Sequence, residues 1–184
     1  YSIAKTLGWT LAKISPQAWS PVASPLDSKS IRLRLLLSYD GTDFFGWQKQ
    51  PNTPETVQGI LENSFSKIFN QSVAIVGSGR TDRGVHALNQ WAHVNLAEPK
   101  AKDLDNLQYK INRMTPESIY IKSTEIAPSD FHAQISAISK CYKFRLLPGT
   151  IKNPFQDHFS WQLGRPVNMN YLQKLAPIFL GEHD

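Results

Sequence analysis

Cysteine is nearly absent from this chain. Cys141 is the only one in 184 residues, so no internal disulfide can form, and nothing around it has zinc-ligand spacing. That usage fits a reducing compartment. The five histidines, His86, His93, His132, His158 and His183, are scattered without an HExxH or similar cluster, so metal catalysis finds no motif. No apolar run reaches the roughly eighteen residues that would suggest a membrane span. A GxxxxGK[ST] phosphate loop is missing too, and Gly77-Ser78-Gly79 leads toward a strand rather than a helix N-terminus, which makes a poor nucleotide cradle. Acidic residues are lacking between Asp130 and Asp157, where Lys140, Lys143, Arg145 and Lys152 all fall. With a net charge of +5, that stretch suits a polyanion such as nucleic acid. On composition alone, ordinary solubilising charge is the more economical account.

What is present reads as a globular α+β chain. Its length allows one domain of ordinary size or two small ones. Residues 1–29 carry Lys5, Lys13 and Lys29 among serines and prolines, with Asp27 as their one acid. This is the composition of a transit peptide, an upstream extension or a disordered arm, and the segment is left unassigned. Both ends, Tyr1 and the terminal "FLGEHD", read as cuts in a longer chain.

From residue 30 the punctuation is regular. "IRLRLLLSYD" alternates, placing Ile31, Leu33, Leu35, Leu37 and Tyr39 on one face of a strand. After the turn-rich "GTDFFGWQKQPN", Thr53 and Pro54 are expected to start a helix, with Val57, Ile60, Leu61, Ser64, Phe65 and Ile68 as its buried stripe. "SVAIVGS" and "ALNQWAHVNL" read as the second and third strands. Asp103 is expected to cap a second helix, with Leu104, Leu107, Ile111 and Met114 on one face, and "SIYIKSTEI" forms a fourth strand. Strand, helix, strand, strand, helix, strand is the order of a ferredoxin-like (split βαβ) antiparallel-sheet domain, assigned to residues 30–128. A second, similar domain starts over 129–184 with a strand in "SKCYKFRLL" and a helix in "MNYLQKLAPIFL" broken at Pro177, and is expected to be incomplete. Such a sheet also serves RNA-binding modules, but their aromatic signature is absent, so fold order alone decides no function.

The chemistry concentrates in "GSGRTDRGVHA", Gly77–Ala87. If the segment is extended, Arg80 and Asp82 point to one side and Arg83 to another. A guanidinium beside a carboxylate keeps it ionised, which suits a nucleophile rather than a general acid. Taken alone, an Arg–Asp pair more often pins a turn.

Four blocks decide the matter: "YDGTDFFGWQKQPN", "ETVQGILENSF", "GSGRTDRGVHA" and "FHAQISAISKCYKF". In this order and spacing the chain resembles the TruA family of tRNA pseudouridine synthases, from about residue 32 to its last residue. The resemblance implies isomerisation of uridine to pseudouridine in the tRNA anticodon stem-loop, without metal, nucleotide or redox cofactor. It makes Asp82 the catalytic nucleophile. Arg80 becomes its partner, filling the space left by a flipped nucleotide, and Tyr142 becomes a residue that stacks on the target base. Arg83, Lys140 and Lys143 are then RNA contacts, with Arg145 and Lys152 beside them. His86 orders the loop and Gly41 and Gly46 meet backbone needs; "GTDFFGW" matches a family block near the active-site cleft, with simple packing the alternative for Phe45 and Trp47, and Cys141 is inert. The implied partners are tRNA and, at full length, a second copy of the chain. The implied location is cytoplasmic, or organellar if 1–29 is a transit peptide.

Some residues depart from the family pattern. Arg83 stands where bacterial members usually carry alanine, Gln134 replaces an arginine, and Phe144 replaces a second tyrosine. A basic residue and an aliphatic pocket residue from the family's C-terminal half have no counterpart here, so this chain alone is expected to be inactive. A catalytically incompetent RNA-binding fragment or paralogue is the alternative reading.

Overall fold

A computed structural model describes residues 7–9, 29–53, 55–97, 99 and 104–181. The unassigned segment 1–29 therefore lies outside the described residues except for Leu7–Trp9 and Lys29, as do the expected helix-start residues Pro54 and Asp103. The chain divides into two compact units, one over Trp19–Ala137 and one formed by Ile138–Asp184 with Tyr1–Ala18.

The first unit is built on a four-stranded sheet. We number the strand Leu7–Trp9 β1, and the sheet strands β2 (Ile31–Tyr39), β3 (Ile75–Gly77), β4 (Ala87–Leu96) and β5 (Ile119–Ala127). Their spatial order is β3-β4-β2-β5, and every neighbouring pair is antiparallel. Leu33, Leu35, Leu37 and Tyr39 point from β2 into the core, as the alternation of the sequence requires. Two helices, α1 (Val57–Phe69) and α2 (Leu107–Met114), supply the other half of that core. Val57, Leu61 and Phe65 of α1 are fully buried at helical spacing, with Ile60 and Ile68 packed at the margin.

The helix starts differ from expectation. Thr56, not Thr53, caps α1: its backbone is extended and its hydroxyl accepts from Gly59 N at 3.2 Å. Thr53 instead closes a turn, donating its amide to Gln50 O at 3.3 Å. The helix begins at Val57 because only from there does the periodic apolar face meet the sheet. α2 follows a left-handed Asn106; Leu104, also helical, packs against the core ahead of that turn, and Met114 is exposed. The second expected strand shortens to Ile75–Gly77.

Two bulges flank the end of β2 next to the loop of interest. On β5, Leu36 pairs with Ser123 and Leu37 with Ile121, leaving Lys122 as the extra residue. On β4, Leu37 pairs with Gln90 and Tyr39 with Ala87, so Leu88 and Asn89 together face Ser38. Lys122 Nζ reaches across β2 and joins the bulges, donating to Leu88 O at 2.8 Å and Asn89 Oδ1 at 2.9 Å.

In the second unit, "SKCYKFRLL" is interrupted at Arg145 into β6 (Tyr142–Phe144) and β7 (Leu146–Leu147). β6 pairs antiparallel with β1, and β7 pairs parallel with β8 (Trp161–Gln162). A short helix, α3 (Met169–Leu175), capped by Asn168, tightens into a 3₁₀ turn over Ala176–Phe179 around Pro177. None of residues 138–181 is buried.

Candidate active site

The Gly77–Ala87 loop is clamped along its length. At its entrance, Ser78 N donates to Trp91 O at 2.7 Å, and Gln90 Nε2 donates to Gly79 O. In the middle, Tyr39 OH and Thr81 Oγ1 share a hydrogen bond of 2.8 Å, and Trp47 N donates to Thr81 O at 3.0 Å. Thr81 is thereby a fastening. At the exit, Val85 N donates to Asp82 O at 3.2 Å and Gly84 N to Phe44 O at 3.3 Å, closing a turn.

Two glycines of "YDGTDFFGW" let that segment lie against the loop. A Cβ on Gly41 would fall 2.1 Å from Val85 O, and one on Gly46, whose φ is +87°, would fall 2.5 Å from Thr81 O. The aromatic residues divide. Phe44 and Trp47 are buried, with Trp47 lying over Gly77, whereas Phe45 is 40% exposed. Trp47 packs and Phe45 does not.

Beneath this segment, Glu62 of α1 is buried and fully used. Its Oε1 accepts from Ile75 N at 3.1 Å and Gln58 Nε2 at 3.0 Å, and its Oε2 accepts from Lys49 Nζ at 3.1 Å. Gln58 also donates to Ile75 O and accepts from Lys49 N. One turn of helix thus ties the 47–50 segment to the strand that leads into the loop. Sequence reasoning passed over Gln58, Glu62 and Gln90. A signal existed, since Glu62 and Gln90 are polar residues that end up buried within otherwise apolar patterns.

Against these fastenings, Arg80, Asp82 and Arg83 have exposed side chains on a held backbone. The expected Arg80–Asp82 ion pair is not formed, and among the described residues no hydrogen bond or ion pair engages the Asp82 carboxylate. Exposure accounts for this: in water a surface pair gains little to offset the entropy of fixing two side chains. Arg83 instead lies over the Phe45 ring, 4.4 Å from guanidinium carbon to ring centroid.

His86 orders the loop, as the sequence suggested. Its Nδ1 is 3.1 Å from Gly41 N and 2.9 Å from Asp40 Oδ1. Neutral Nδ1 accepts from Gly41, protonated Nδ1 donates to Asp40, and one nitrogen cannot do both. Burial pushes the Asp40 carboxyl up, but the Thr42 hydroxyl and amide together with His86 outweigh it and hold the group below its ordinary value.

The segment "SDFHAQISA" is fixed to the sheet face opposite the helices. Buried Arg32 donates through Nη1 to Ser129 O at 2.6 Å and Phe131 O at 2.7 Å, and through Nε to Asn95 Oδ1 at 2.8 Å. Buried His93 accepts from Ala133 N at 3.1 Å, and its ring lies 4.8 Å from that of His132. Burial, His132 and Arg32 push His93 down to about 4. Burial and then Arg32 also lower His132.

Tyr142, Lys140 and Lys143 belong to the second unit, Tyr142 and Lys143 with exposed side chains and Lys140 half-buried. Tyr142 and Phe144 both have exposed rings and do not pack as core aromatics.

A sheet with a clamped loop presenting an unengaged carboxylate is where comparison with known proteins becomes informative. The sequence profile of the family described as tRNA pseudouridine synthase matches residues 36–134. The chain is 40% identical over 151 residues to tRNA pseudouridine synthase A 1 of Protochlamydia amoebophila, covering 82% of this chain and 58% of that protein. It is 38% identical over 156 residues to tRNA pseudouridine synthase A of Limosilactobacillus reuteri, covering 83% and 60%. The relative from Dictyoglomus thermophilum is 38% identical over 154 residues, covering 84% and 62%. The chain belongs to the tRNA pseudouridine synthase family. It spans about three-fifths of the length of the curated relatives it matches.

Proposed function

We propose that this chain is the loop-bearing part of a tRNA pseudouridine synthase that isomerises uridine in the anticodon stem-loop, with Asp82 as nucleophile. The observation that carries this reading is the contrast within the loop. Thr81, Gly79, Gly84 and Val85 are all fastened, while the Asp82 carboxylate between them has no partner among the described residues. A turn-pinning aspartate would be engaged; a nucleophile has to be free.

In the proposed reaction the N–C glycosidic bond of uridine breaks and a C–C bond forms to the same ribose. Asp82 forms a covalent intermediate with the base or the sugar, splitting one hard step into easier ones. Arg80 holds the space opened by the extruded nucleotide, whose extrusion costs a few kcal/mol. Tyr142 stacks on the base, a contact worth roughly 1–3 kcal/mol, and takes a proton late in the sequence. Lys140 and Lys143 contact phosphates.

The fold reading belongs with this proposal. The strand order and the helices following β2 and β4 support a ferredoxin-like (split βαβ) unit over 30–128. A second, similar unit over 129–184 is part of the same reading. The active species is a homodimer of the full-length protein, in the cytoplasm or in an organelle if 1–29 is a leader.

The test replaces Asp82 by Asn in the full-length protein and measures pseudouridine formation and tRNA affinity together. Turnover is expected to vanish while affinity stays or improves, because Asn keeps the shape and removes charge and nucleophilicity. Turnover within about tenfold of the parent, roughly 1.4 kcal/mol of barrier, would reduce Asp82 to a turn residue.

A further inference from the structure

We infer that Phe45 and Arg83 form a two-part subsite for an RNA phosphodiester beside Asp82, with Phe45 as the positioning residue for the Arg83 guanidinium. The inference rests on the reading of the protein as a tRNA-modifying enzyme.

Three observations carry it. First, Phe45 is the one aromatic of "FFGW" left in solvent: Phe44 is 5% and Trp47 2% exposed, against 40% for Phe45. Its ring is thus a face available to a side chain from the neighbouring loop, as the Arg83 guanidinium over it shows. Second, the segment is rigid where the ring emerges. Phe45 N donates to Glu55 O at 2.9 Å, and the residues on both sides are bonded to the loop, Phe44 O by Gly84 N and Trp47 N to Thr81 O. A Cβ on Gly46 would lie 3.1 Å from the Asp82 carbonyl carbon and 3.3 Å from Arg83 N, so the backbones bearing Phe45 and Arg83 are in close contact. Third, the Arg83 guanidinium lies 4.4 Å from the Phe45 ring centroid and, among the described residues, makes no ion pair.

The chemistry of the pair selects the ligand. A guanidinium over an aromatic face is held in place while its N–H edge stays available, and that planar fork matches phosphate. Among the described residues no carboxylate forms an ion pair with it, and Arg83 directly follows Asp82 in the chain. A phosphate bound there would therefore be one close to the reacting nucleotide. Arg83 supplies the charge and Phe45 limits the conformations from which it must be recruited, so removing Phe45 weakens the contact without removing it.

The experiment uses the full-length protein in the Asp82→Asn background and measures binding of an RNA anticodon stem-loop hairpin as a function of salt. Arg83→Ala is expected to weaken binding about tenfold at low salt and to lower the magnitude of the log–log salt slope by roughly 0.7–0.9, one phosphate contact. Phe45→Ala is expected to weaken binding about two- to fivefold with the slope retained, and Phe45→Trp to restore it. The double variant Phe45→Ala/Arg83→Ala should bind like Arg83→Ala alone, because the ring acts only through the guanidinium. Unchanged affinity and slope in Arg83→Ala, or additive effects of the two alanine substitutions, would overturn the subsite. The salt slope and the Trp rescue separate positioning from a general loss of folding. Pseudouridine formation by the parent protein, measured alongside, keeps the two readings apart. An active parent whose Arg83→Ala variant binds normally sinks the subsite alone, whereas a parent that neither binds nor modifies tRNA sinks the function on which it rests.

Discussion

At Asp82 and His93 the same kind of physics gives opposite results. Asp82 stays in water with its charge uncommitted, whereas His93 is buried, accepts a hydrogen bond from Ala133 N and is pushed down to about 4. The folded-state value lies below the ordinary 6.5. As pH falls below that value the unfolded chain binds a proton that the native state refuses. His93 therefore contributes stability that is fully present above about 6.5 and is lost as pH falls toward about 4. The loss between pH 7 and pH 5 should be about 2 kcal/mol, with His132 adding in the same direction. Urea unfolding at the two pH values tests this. His93→Asn retains an acceptor near Nδ1 and cannot titrate, so its stability should depend less steeply on pH. An equal pH dependence in both proteins would show that this histidine does not govern acid lability.

At the level of elements, the bulge on β5 is stabilised from α2 in a way that no periodicity reveals. Asn112 Oδ1 accepts from Ile121 N at 2.7 Å and its Nδ2 donates to Ile121 O at 2.9 Å, while Gln108 Nε2 donates to Lys122 O at 2.9 Å. These two side chains, four apart on the helix, satisfy backbone groups on an edge strand at its irregular point. Asn112→Ala should cost about 1–3 kcal/mol because it strands the Ile121 amide, while the carbonyl keeps its bond from Gln108 Nε2 at 3.1 Å. The exposed substitution Tyr109→Ala on the same helix should stay within about 0.5 kcal/mol. Urea midpoints compare the two, and equal small effects would mean that the Asn112 bonds are made no better than by water. The start of α1 shows why helix starts are less legible than strands. Alternation over Ile31–Tyr39 identifies a strand by itself, but Thr53 and Thr56 are both good caps on paper. Which one acts depends on where the sheet meets the helix.

For the whole molecule the contrast is between two units. One has a continuous core from two helices and a sheet; in the other, none of residues 138–181 is buried, and Phe155 and Ile151 stand almost wholly in solvent. Lys140, Lys143, Arg145 and Lys152 lie in this second unit. If they contact RNA, about four phosphate interactions give a log–log salt slope near −3 to −4 for tRNA binding by the full-length protein. Binding that stays flat between roughly 50 and 200 mM salt would rule out this basic stretch as an RNA surface.

The sequence by itself determined the strand alternation, the apolar stripe of α1, the glycines against the loop and the family to which "GRTD" and its companion blocks belong. These are local properties, written in spacing and residue type. Only the tertiary structure decided that Thr56 caps the helix, that Glu62 and Asn112 serve distant backbone, that Arg80 leaves Asp82 unpaired and that Arg83 rests on Phe45. In each of these, burial and competition for partners set the outcome, and local pattern does not carry that information.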